Sequence, residues 1–369
     1  MALNPYCSME INLRALDENL SLIRRFIRPQ TEIMAVIKAD AYGHGAVAIA
    51  KRLERLGVSS LGVASVAEGV ELREAGVKAD IILLGGFRKG EEDEIVNYGL
   101  IPFVFGKEMA ERLSRRARSS GRRVRIHLKV DTGMGRLGVL PEEVKEAVIG
   151  ILDLPCIELE GIASHLSTAE ERDDYLREQI RRFLQVKAAL DGMGLGVKYH
   201  LANSAALFSL PETHFDMVRP GIALYGVHPS RAFRERFALP LKPVMTWKTK
   251  IIDVRRVPAG WGISYGCTFV TKRPSRIAAL AVGYADGYPR HLSNKAQVLI
   301  KGRRAPVVGR VTMDWTLIDV TDIPGVEVGH EVVLFGEGLG VEELASWAET
   351  IPYEILCLAG KRSKRVIKG

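Results

Sequence analysis

The chain has 369 residues, of which 47% are hydrophobic and 26% are charged, and its formal net charge at pH 7 is +8. This length suits two domains, and the composition is that of a folded globular protein rather than a disordered one. No helix-turn-helix, zinc-finger or aromatic RNA-binding pattern accompanies the basic residues, and no apolar run approaches the ~20 residues of a membrane span, so we predict neither a nucleic-acid nor a membrane partner.

In chain order, residues 1–10 are predicted to form a strand that joins the carboxyl-terminal domain. From about residue 30 to 240, short apolar runs then alternate with amphipathic stretches, a pattern typical of repeated βα units around a parallel sheet. The predicted strands are EIMAVIKA, SSLGVAS, DIILLGG, IPFVFG, VRIHLKVD, IELEGIASHLS, VKYHLANS and FDMVRPG. Even spacing without a GxGxxG after the first strand favours a closed (β/α)8 barrel of the TIM type over an open doubly wound sheet.

The composition changes after about residue 240, where β-branched, partly alternating segments are separated by Gly and Pro. Two short helices are predicted near the end of the chain, from VEELASWAET and YEILCLAG. We therefore predict an α/β fold in which a barrel over 11–240 is followed by a separate β-rich domain over 241–369.

Lys38 ends the first predicted barrel strand and opens a loop of small residues, AVIKADAYGHGA. An amine that emerges from a buried strand is partly desolvated, which lowers its pKa and favours attack on a carbonyl. A Schiff-base lysine is therefore our hypothesis for Lys38. A lysine that merely extends from the strand end into solvent is the alternative.

Other polar residues follow later barrel strands, and the carboxyl ends of the strands are where active sites form in such barrels. Any one of them could cap a helix or satisfy a loop, but their convergence on one mouth favours a site. They are Lys129, Asp131 and Arg136 after strand five, His165 after strand six, Asn203 and Ser204 after strand seven, and Arg219 after strand eight.

An anion site is predicted where VRPGIALYG places Gly221 and Ile222 at a helix start, because exposed backbone N–H groups bind phosphate there. The glycine-rich segment HLKVDTGMGRLG brings Arg136 back toward Lys129, and two neighbouring cations are unfavourable without an anion between them. A strand-end lysine, a phosphate site and an inward arginine together point to a phosphorylated carbonyl compound, and pyridoxal 5′-phosphate fits best.

The four cysteines are far apart in the sequence and form no CxxC pair: Cys7, Cys156, Cys267 and Cys357. We therefore predict reduced thiols, no disulfide framework and no metal site. The amino terminus shows no basic start followed by an apolar stretch, so we expect a cytoplasmic protein.

Eight motifs, in order from the amino terminus to about residue 360, resemble those of the alanine racemases, which are pyridoxal-phosphate enzymes of fold type III. They are AVIKADAYGHG, HLKVDTGMGRLG, SHLSTAEE, LANSAA, VRPGIALYG, GISYG, VGYADGYPR and GRVTMDW. The resemblance implies interconversion of L- and D-alanine, with D-alanine supplied for peptidoglycan, by a homodimer with shared active sites.

The resemblance also implies a role for each matched residue. Lys38 would carry the cofactor and act as one base, and Tyr265, from the neighbouring subunit, as the second base on the opposite face. Arg219 would contact the pyridine nitrogen, with His200 orienting it, and Arg136 would donate to the phenolic oxygen or the substrate carboxylate. Further cofactor contacts would be Tyr42, His165, Asn203, Ser204, Gly221, Ile222 and Tyr353.

Met313, Asp314 and Tyr284 match positions near the substrate carboxylate and the entrance. Thr312 stands where the family often has cysteine, and Trp315 where it often has glutamine, so the carboxylate contacts and the channel are expected to differ in detail. In many members the residue matching Lys129 is carbamylated, and an unmodified Lys129 paired with Asp131 is the alternative.

Two other enzyme functions remain open at this point. A racemase of broader specificity shares the motifs. A fold type III decarboxylase of basic amino acids shares the architecture, but it places an acidic residue at the pyridine nitrogen, where this chain has Arg219.

Overall fold

The computed structural model describes residues 3–171 and 173–369. The chain divides into two compact units. The barrel unit comprises Asn19–Ala41 and Gly45–Leu224, and the β unit comprises the residues up to Glu18, Tyr42–His44 and Tyr225–Gly369.

Eight parallel strands are described in the barrel unit: strands 1 to 7 pair successively in chain order, and the eighth pairs with the first. Backbone hydrogen bonds from Asp216 N to Tyr199 O (3.1 Å) and from Arg219 N to Ala202 O (2.9 Å) link the eighth strand to the seventh and close the ring. The predicted closed barrel is therefore confirmed. Barrel strands 1 to 8 are Glu32–Val36, Ser60–Val63, Asp80–Leu83, Ile101–Val104, Val124–Lys129, Ile157–Ala163, Lys198–His200 and Met217–Val218.

Most strand residues are buried because the barrel interior covers one face and helices cover the other, which explains why the strands are continuous apolar runs. An apolar cluster fills part of the interior: Met34, Ile82, Ile101, Phe103, Ala163 and Met217. The helices of this part of the chain are Leu13–Phe26, Ala46–Arg55, Val66–Glu74, Glu92–Tyr98, Lys107–Ser119, Val144–Leu152, Asp174–Asp191 and Ser204–Ser209.

The helix Asp174–Asp191 shows how the sequence sets these elements. Asp173 caps its first turn by accepting a hydrogen bond from Leu176 N at 2.7 Å. Its buried residues recur every three or four positions, as expected for an amphipathic helix: Leu176, Gln179, Phe183, Val186 and Leu190.

The β unit is built on an eight-stranded sheet. Asn4–Asn12 lies between the long strand Met245–Val257, to which it is antiparallel, and the last strand Ser363–Lys368, to which it is parallel. The remaining strands of the unit are Gly262–Ile263, Phe269–Val270, Ser275–Leu280, Gln297–Ile300, Arg303–Pro306, Thr316–Asp319 and Glu331–Phe335.

Three helices belong to this unit, Arg231–Phe237, Val341–Trp347 and Pro352–Leu358, and the last two are those predicted near the end of the chain. Trp247, which is wholly buried, contacts Tyr288 and Phe335 edge-on in the core of this unit. No helix among residues 3–171 and 173–369 is long and apolar enough to span a bilayer.

Candidate active site

Lys38 follows barrel strand 1 and opens a turn of left-handed backbone. Ala39, Asp40, Ala41 and Tyr42 have φ values of 53°, 52°, 55° and 53°. Left-handed backbone costs roughly 1–2 kcal/mol per non-glycine residue, so surrounding contacts must hold this turn in place. Within the barrel unit, Ala41 N donates to Ile37 O (2.8 Å), and Asp40 Oδ1 accepts from Ala46 N (2.7 Å).

Glu68 fastens the same turn from the next βα loop. Its two carboxylate oxygens accept from Ala39 N at 2.8 Å and from Ala64 N at 2.6 Å. The carboxylate therefore ties the residue after Lys38 to the end of barrel strand 2. Sequence analysis missed Glu68, although Ser65 and Glu68 have the spacing of a capping box, which would have marked a helix start here.

The loop after barrel strand 5 is organised by Asp131. Its carboxylate accepts from the backbone N–H groups of Gly133 (2.9 Å), Met134 (2.7 Å), Gly135 (3.1 Å) and Arg136 (2.7 Å). These hydrogen bonds lower the pKa of Asp131 against the opposing effect of burial, which is the largest single influence. The acceptor capacity of Asp131 is thus directed at the loop backbone, while Lys129 Nζ donates to Val130 O (2.8 Å).

Burial lowers the pKa of Lys129 to about 7, and the positive charges of Arg219 and, more weakly, Arg136 act in the same direction. The crowding of cations predicted from the sequence is therefore present. Arg219 contributes more to it than Arg136, the neighbour that the sequence suggested. A lysine with this pKa is largely neutral in mildly alkaline solution, and a neutral amine is a nucleophile.

His165 lies where the cations of the barrel mouth converge. Its pKa is lowered well below the usual range, first by burial and then by the charges of Arg219, Lys129, Arg136 and Lys38, in that order. A neutral imidazole surrounded by four basic side chains is a site that calls for an anion.

Arg219 follows barrel strand 8 and is buried, which lowers its pKa to about 10. Its guanidinium contacts His200 Nδ1 at 2.9 Å and donates to Ser164 O at 2.5 Å and Leu201 O at 3.1 Å. The structure thus brings His200 and Arg219 together as the sequence suggested.

The residues after barrel strands 7 and 8 meet through a serine hydroxyl. Ser204 Oγ accepts from Gly221 N (2.9 Å) and Ala223 N (3.4 Å), and Asn203 caps the helix Ser204–Ser209 by accepting from Ala206 N (3.0 Å). Ile222 begins a short 3-10 helix and is wholly buried. Backbone N–H groups and a hydroxyl are therefore gathered at one point, as a phosphate site requires.

Two further residues of the predicted phosphate site belong to the β unit. Tyr42 is buried, and its ring lies 5.9 Å from that of Tyr353 and 5.0 Å from that of Tyr225. Burial, together with the charge of Cys357, raises the pKa of Tyr42, so its hydroxyl remains a donor at all ordinary pH values.

Tyr265 stands on a short 3-10 turn of the β unit and is 72% exposed. The turn is fixed at its start, where Ser264 has a φ of 60° and its hydroxyl donates to Arg310 O at 2.7 Å. The phenol is thus presented to solvent by an ordered segment.

Met313, Asp314 and Tyr284 are held close together by two interlocked turns. Tyr284 N donates to Thr312 O and Ala285 N to Met313 O, both at 3.0 Å. A Cβ on Gly283 would lie 2.3 Å from both of these carbonyl oxygens, so only glycine allows the turns to approach so closely.

An ion-pair network supports these turns and was missed by sequence analysis. Arg362 donates to both carboxylate oxygens of the wholly buried Asp286 (2.9 Å each) and to Asp314 Oδ1 (2.8 Å). These two aspartates raise the pKa of Arg362. In the sequence, Arg362 belongs to the basic tail, and no pattern distinguishes it from the neighbouring lysines and arginines.

Thr312 and Trp315, the two departures from the common family pattern, form a tight turn of their own. Thr312 Oγ1 donates to Trp315 O at 2.9 Å and accepts from Trp315 N at 3.1 Å. The threonine hydroxyl therefore shapes the segment that carries Met313 and Asp314.

Comparison with known proteins covers nearly the whole chain. Residues 11–229 match the model for the alanine racemase N-terminal domain and residues 244–367 that for the C-terminal domain. An alanine racemase of Desulforamulus reducens is 46% identical over 364 residues, with 98% of each chain covered.

Solved structures agree with this match. An alanine racemase of Clostridium difficile 630 is 38% identical with a TM-score of 0.91, covering 98% of this chain and 96% of that one. An alanine racemase of Bartonella henselae, solved with covalently bound pyridoxal phosphate, is 33% identical with a TM-score of 0.89, covering 98% of this chain and 99% of that one.

Proposed function

The chain belongs to the alanine racemase family, and from this premise we propose that it interconverts L- and D-alanine with Lys38 and Tyr265 as its two proton carriers. Racemisation requires removal of a proton on one side of Cα and delivery on the other. An amine in the barrel unit and a phenol in the β unit are two different bases suited to this task.

Pyridoxal 5′-phosphate, when bound, supplies a carbonyl that condenses with amines and a ring that withdraws electrons from Cα. The observation that supports this cofactor best is the convergence of Lys38, Lys129, Arg136 and Arg219 on His165. Such a cationic site suits a phosphate, a phenolate and a substrate carboxylate. The neutral imidazole of His165, together with Asn203, would lie against the ring.

The phosphate would be held by the hydrogen-bonding groups gathered after strands 7 and 8, with two tyrosines of the β unit. Each of these residues offers a hydroxyl or a backbone N–H, the groups that phosphate accepts hydrogen bonds from. They are Ser204, Gly221, Ile222, Tyr42 and Tyr353.

Arg219 would donate to the pyridine nitrogen and, as a guanidinium, cannot accept a proton from it. An arginine at this position would leave the bound cofactor a weaker electron sink, and it would favour return of the proton to Cα, as racemisation requires. This role of Arg219 also favours the racemase over the decarboxylase alternative, which uses an acidic residue here.

Arg136 would contact the phenolic oxygen of the cofactor or the substrate carboxylate, and we propose that Lys129 is carbamylated to hold it. The neutral amine of Lys129 adds to carbon dioxide, forming an N–C bond and releasing one proton, so a cation is replaced by an anion. Burial and the charge of Arg219 favour this modification because both disfavour the ammonium form.

We further propose a homodimer in which Tyr265 completes the active site of the neighbouring subunit. In the single chain Tyr265 is 72% exposed, and exposed apolar side chains accompany it in the β unit, an arrangement typical of a surface that a partner covers. These side chains are Trp261, Val270, Tyr284, Met313 and Trp315. A second copy of the chain is the partner that would bring this surface to a barrel mouth.

Met313, Asp314 and Tyr284 would then surround the substrate carboxylate, and a narrow pocket lined by Tyr265, Tyr353 and Met313 would favour alanine over larger amino acids. The product would supply peptidoglycan synthesis. We propose a cytoplasmic location, which the four free cysteines support.

We also propose the domain limits 1–10, 11–240 and 241–369. The pairing of Asn4–Asn12 with two strands of the β unit and the family matches at 11–229 and 244–367 support them.

The test is an optical-rotation assay with L-alanine, run with and without added cofactor. The wild-type protein is expected to be yellow and to abolish the rotation, whereas Lys38→Ala should lose both the visible absorbance and at least about three orders of magnitude in rate. A colourless wild-type preparation after reconstitution, or full activity in Lys38→Ala, would contradict the proposal.

A further inference from the structure

Among the described residues, no carboxylate forms an ion pair with Arg219. Among the described residues its three hydrogen-bond partners are His200 and the carbonyl oxygens of Ser164 and Leu201, all of them neutral groups. A buried cation in neutral surroundings is costly, and the lowered pKa of Arg219 reflects that cost. Its counter-charge must therefore come from farther away.

The hydrogen bonds that leave Arg219 have a fixed direction. A guanidinium can only donate, so His200 Nδ1 must accept and His200 must carry its proton on Nε2. His200 Nε2 lies 2.8 Å from His127 Nδ1, which must then accept in its turn. His127 is therefore protonated on Nε2. Both imidazoles are wholly buried, and burial lowers the pKa of each, so both are neutral.

His127 Nε2 is buried without a hydrogen-bond partner among the described residues, and it faces a carboxylate beyond hydrogen-bond distance. His127 Nε2 lies 3.8 Å from Glu160 Oε2, and Glu160 also lies 3.4 Å from Arg125 and 3.3 Å from Lys198. The interaction with His127 is the largest of the influences that lower the pKa of Glu160 to about 2, and the positive charges of Arg125 and Lys198 act in the same direction, against the effect of burial. Glu160 is thus an anion throughout the working pH range.

The barrel interior has room for the side chains that connect Arg219 to Glu160. A Cβ at Gly161 would lie 2.3 Å from His127 Nδ1, and the pairing of barrel strands 5 and 6 shifts register between Ile126 and His127. The ring of Phe103 covers His127 and His200, at centroid distances of 5.9 and 5.8 Å. A glycine and a shifted strand pairing thus make room for His127 in the interior.

We propose that Glu160 is the remote counter-ion and positioning residue of Arg219, acting through His127 and His200. Glu160 lies toward the amino-terminal side of the barrel sheet and Arg219 at its carboxyl end, so the connection runs through the barrel interior. Arg219 can only donate, so both imidazoles are held in single tautomers, and the N–H of His127 is left facing the negative charge of Glu160. The inference rests on the proposed role of Arg219.

The first test needs no variant. Magic-angle-spinning NMR of the cofactor-loaded protein, labelled with ¹⁵N-histidine, reports which nitrogen of each imidazole is protonated. His200 and His127 are expected to be neutral and protonated on Nε2, with assignment from His200→Gln and His127→Gln. A wild-type His200 protonated on Nδ1 would overturn the inference, whatever the racemase activity, and an inactive protein with the expected tautomers would instead contradict the proposed function.

The second test separates the charge at position 160 from its bulk. Glu160→Gln keeps the size of the side chain but removes its charge, and it should lose 10-fold to 100-fold in kcat/KM. Glu160→Asp keeps the charge and should lose no more than about fivefold. Glu158→Gln, an exposed glutamate on the same strand, is the matched control and should behave as wild type.

Wild-type kinetics in Glu160→Gln would show that Glu160 merely packs in the barrel. A loss in Glu160→Asp as large as that in Glu160→Gln would also contradict the inference, because the charge is still present in Glu160→Asp. If neither variant folds, the wild-type spectrum decides.

Discussion

The two units contribute to the proposed site in opposite ways. In the barrel unit the chemistry-bearing groups are buried or half-buried and desolvation shifts their pKa values, as Lys129, His165 and Arg219 show, and hydrogen bonds fix the side chains of Lys129 and Arg219. In the β unit Tyr265 and Met313 are more than half exposed, although the turns that carry them are well ordered. The barrel mouth is thus formed within one chain, whereas the β-unit surface is ordered but uncovered.

This difference predicts distinct outcomes for mutations in the two units. Changes in the barrel mouth should affect folding and chemistry together, because the groups are desolvated and coupled. Changes to the exposed side chains of the β unit should affect chemistry or assembly while the single chain keeps its stability.

The largest effect is expected for Tyr265→Phe, which removes only the phenolic oxygen. Loss of a positioned general base costs about 10²–10⁴ in rate, and the loss should be unequal for the two enantiomers because each enzyme face handles one of them. Initial rates from L-alanine and from D-alanine, measured with solvent deuterium uptake, test this. The melting temperature should stay within about 2 °C of wild type, and equal losses in both directions would argue against a two-faced mechanism.

Replacement of Arg362, which supports the turns of the β unit, should lower stability rather than act on the chemistry directly. Arg362→Leu leaves the wholly buried Asp286 without its bidentate partner and should destabilise the unit by about 3 kcal/mol. Urea unfolding followed by circular dichroism measures this cost. Lys364→Leu, an exposed change on the same last strand, is the control and is expected to change stability by less than about 0.5 kcal/mol. Equal stability of the two variants would contradict the assigned network.

Glu68→Gln tests whether the barrel mouth is held rigid around Lys38. One oxygen of the carboxylate would become an NH₂ group facing a backbone N–H, which loosens the left-handed turn. We expect kcat/KM to fall about 10-fold to 100-fold. Amide hydrogen exchange at Ala39 and Ala64 should accelerate. Glu71→Gln, an exposed change on the same helix, should leave both measurements unchanged. If the amides of Ala39 and Ala64 stay protected in Glu68→Gln, Glu68 does not hold the turn.

The smallest effect concerns Lys129 and pH. Its pKa is lowered to about 7, against 10.5 in the unfolded chain, so the folded protein binds fewer protons between these values. The destabilisation caused by Lys129 is therefore full below pH 7 and is relieved as the pH rises from 7 toward 10.5. The neutral amine also becomes available for carbamylation over the same range.

With ¹³C-bicarbonate at pH 8, a carbamate resonance and a few-fold higher activity than in carbon-dioxide-free buffer are expected, and both should be weaker at pH 6. Lys129→Gln should lack the resonance. A wild-type protein without it at pH 8 would exclude the modification.

The sequence was sufficient to predict the barrel, because its parallel strands are buried on both faces and read as evenly spaced apolar runs. It also predicted the residues at the strand ends, since that edge of a barrel gathers them. It could not predict Glu68, His127, Glu160 or Arg362. Each of these acts on a residue far away in the sequence, and a glutamate on a helix or an arginine in a basic tail has no periodicity that distinguishes it.

Lys129 shows a finer limit. The glycine-rich loop indicated that Arg136 would crowd this lysine, but the stronger charge comes from Arg219, ninety residues later. This proximity depends on closure of the barrel, which directs the carboxyl ends of strands 5 and 8 toward one mouth, and it does not depend on any local spacing.

The tryptophans also differ between core and surface. Trp247 is wholly buried and Trp347 is half-buried, whereas Trp261 and Trp315 are 54% and 46% exposed. Desolvation of an indole shifts its fluorescence to shorter wavelength, so the two exposed tryptophans would report subunit association without any attached label, while Trp247 and Trp347 supply a background. Emission spectra over a dilution series would then read the dissociation constant directly from the natural chain.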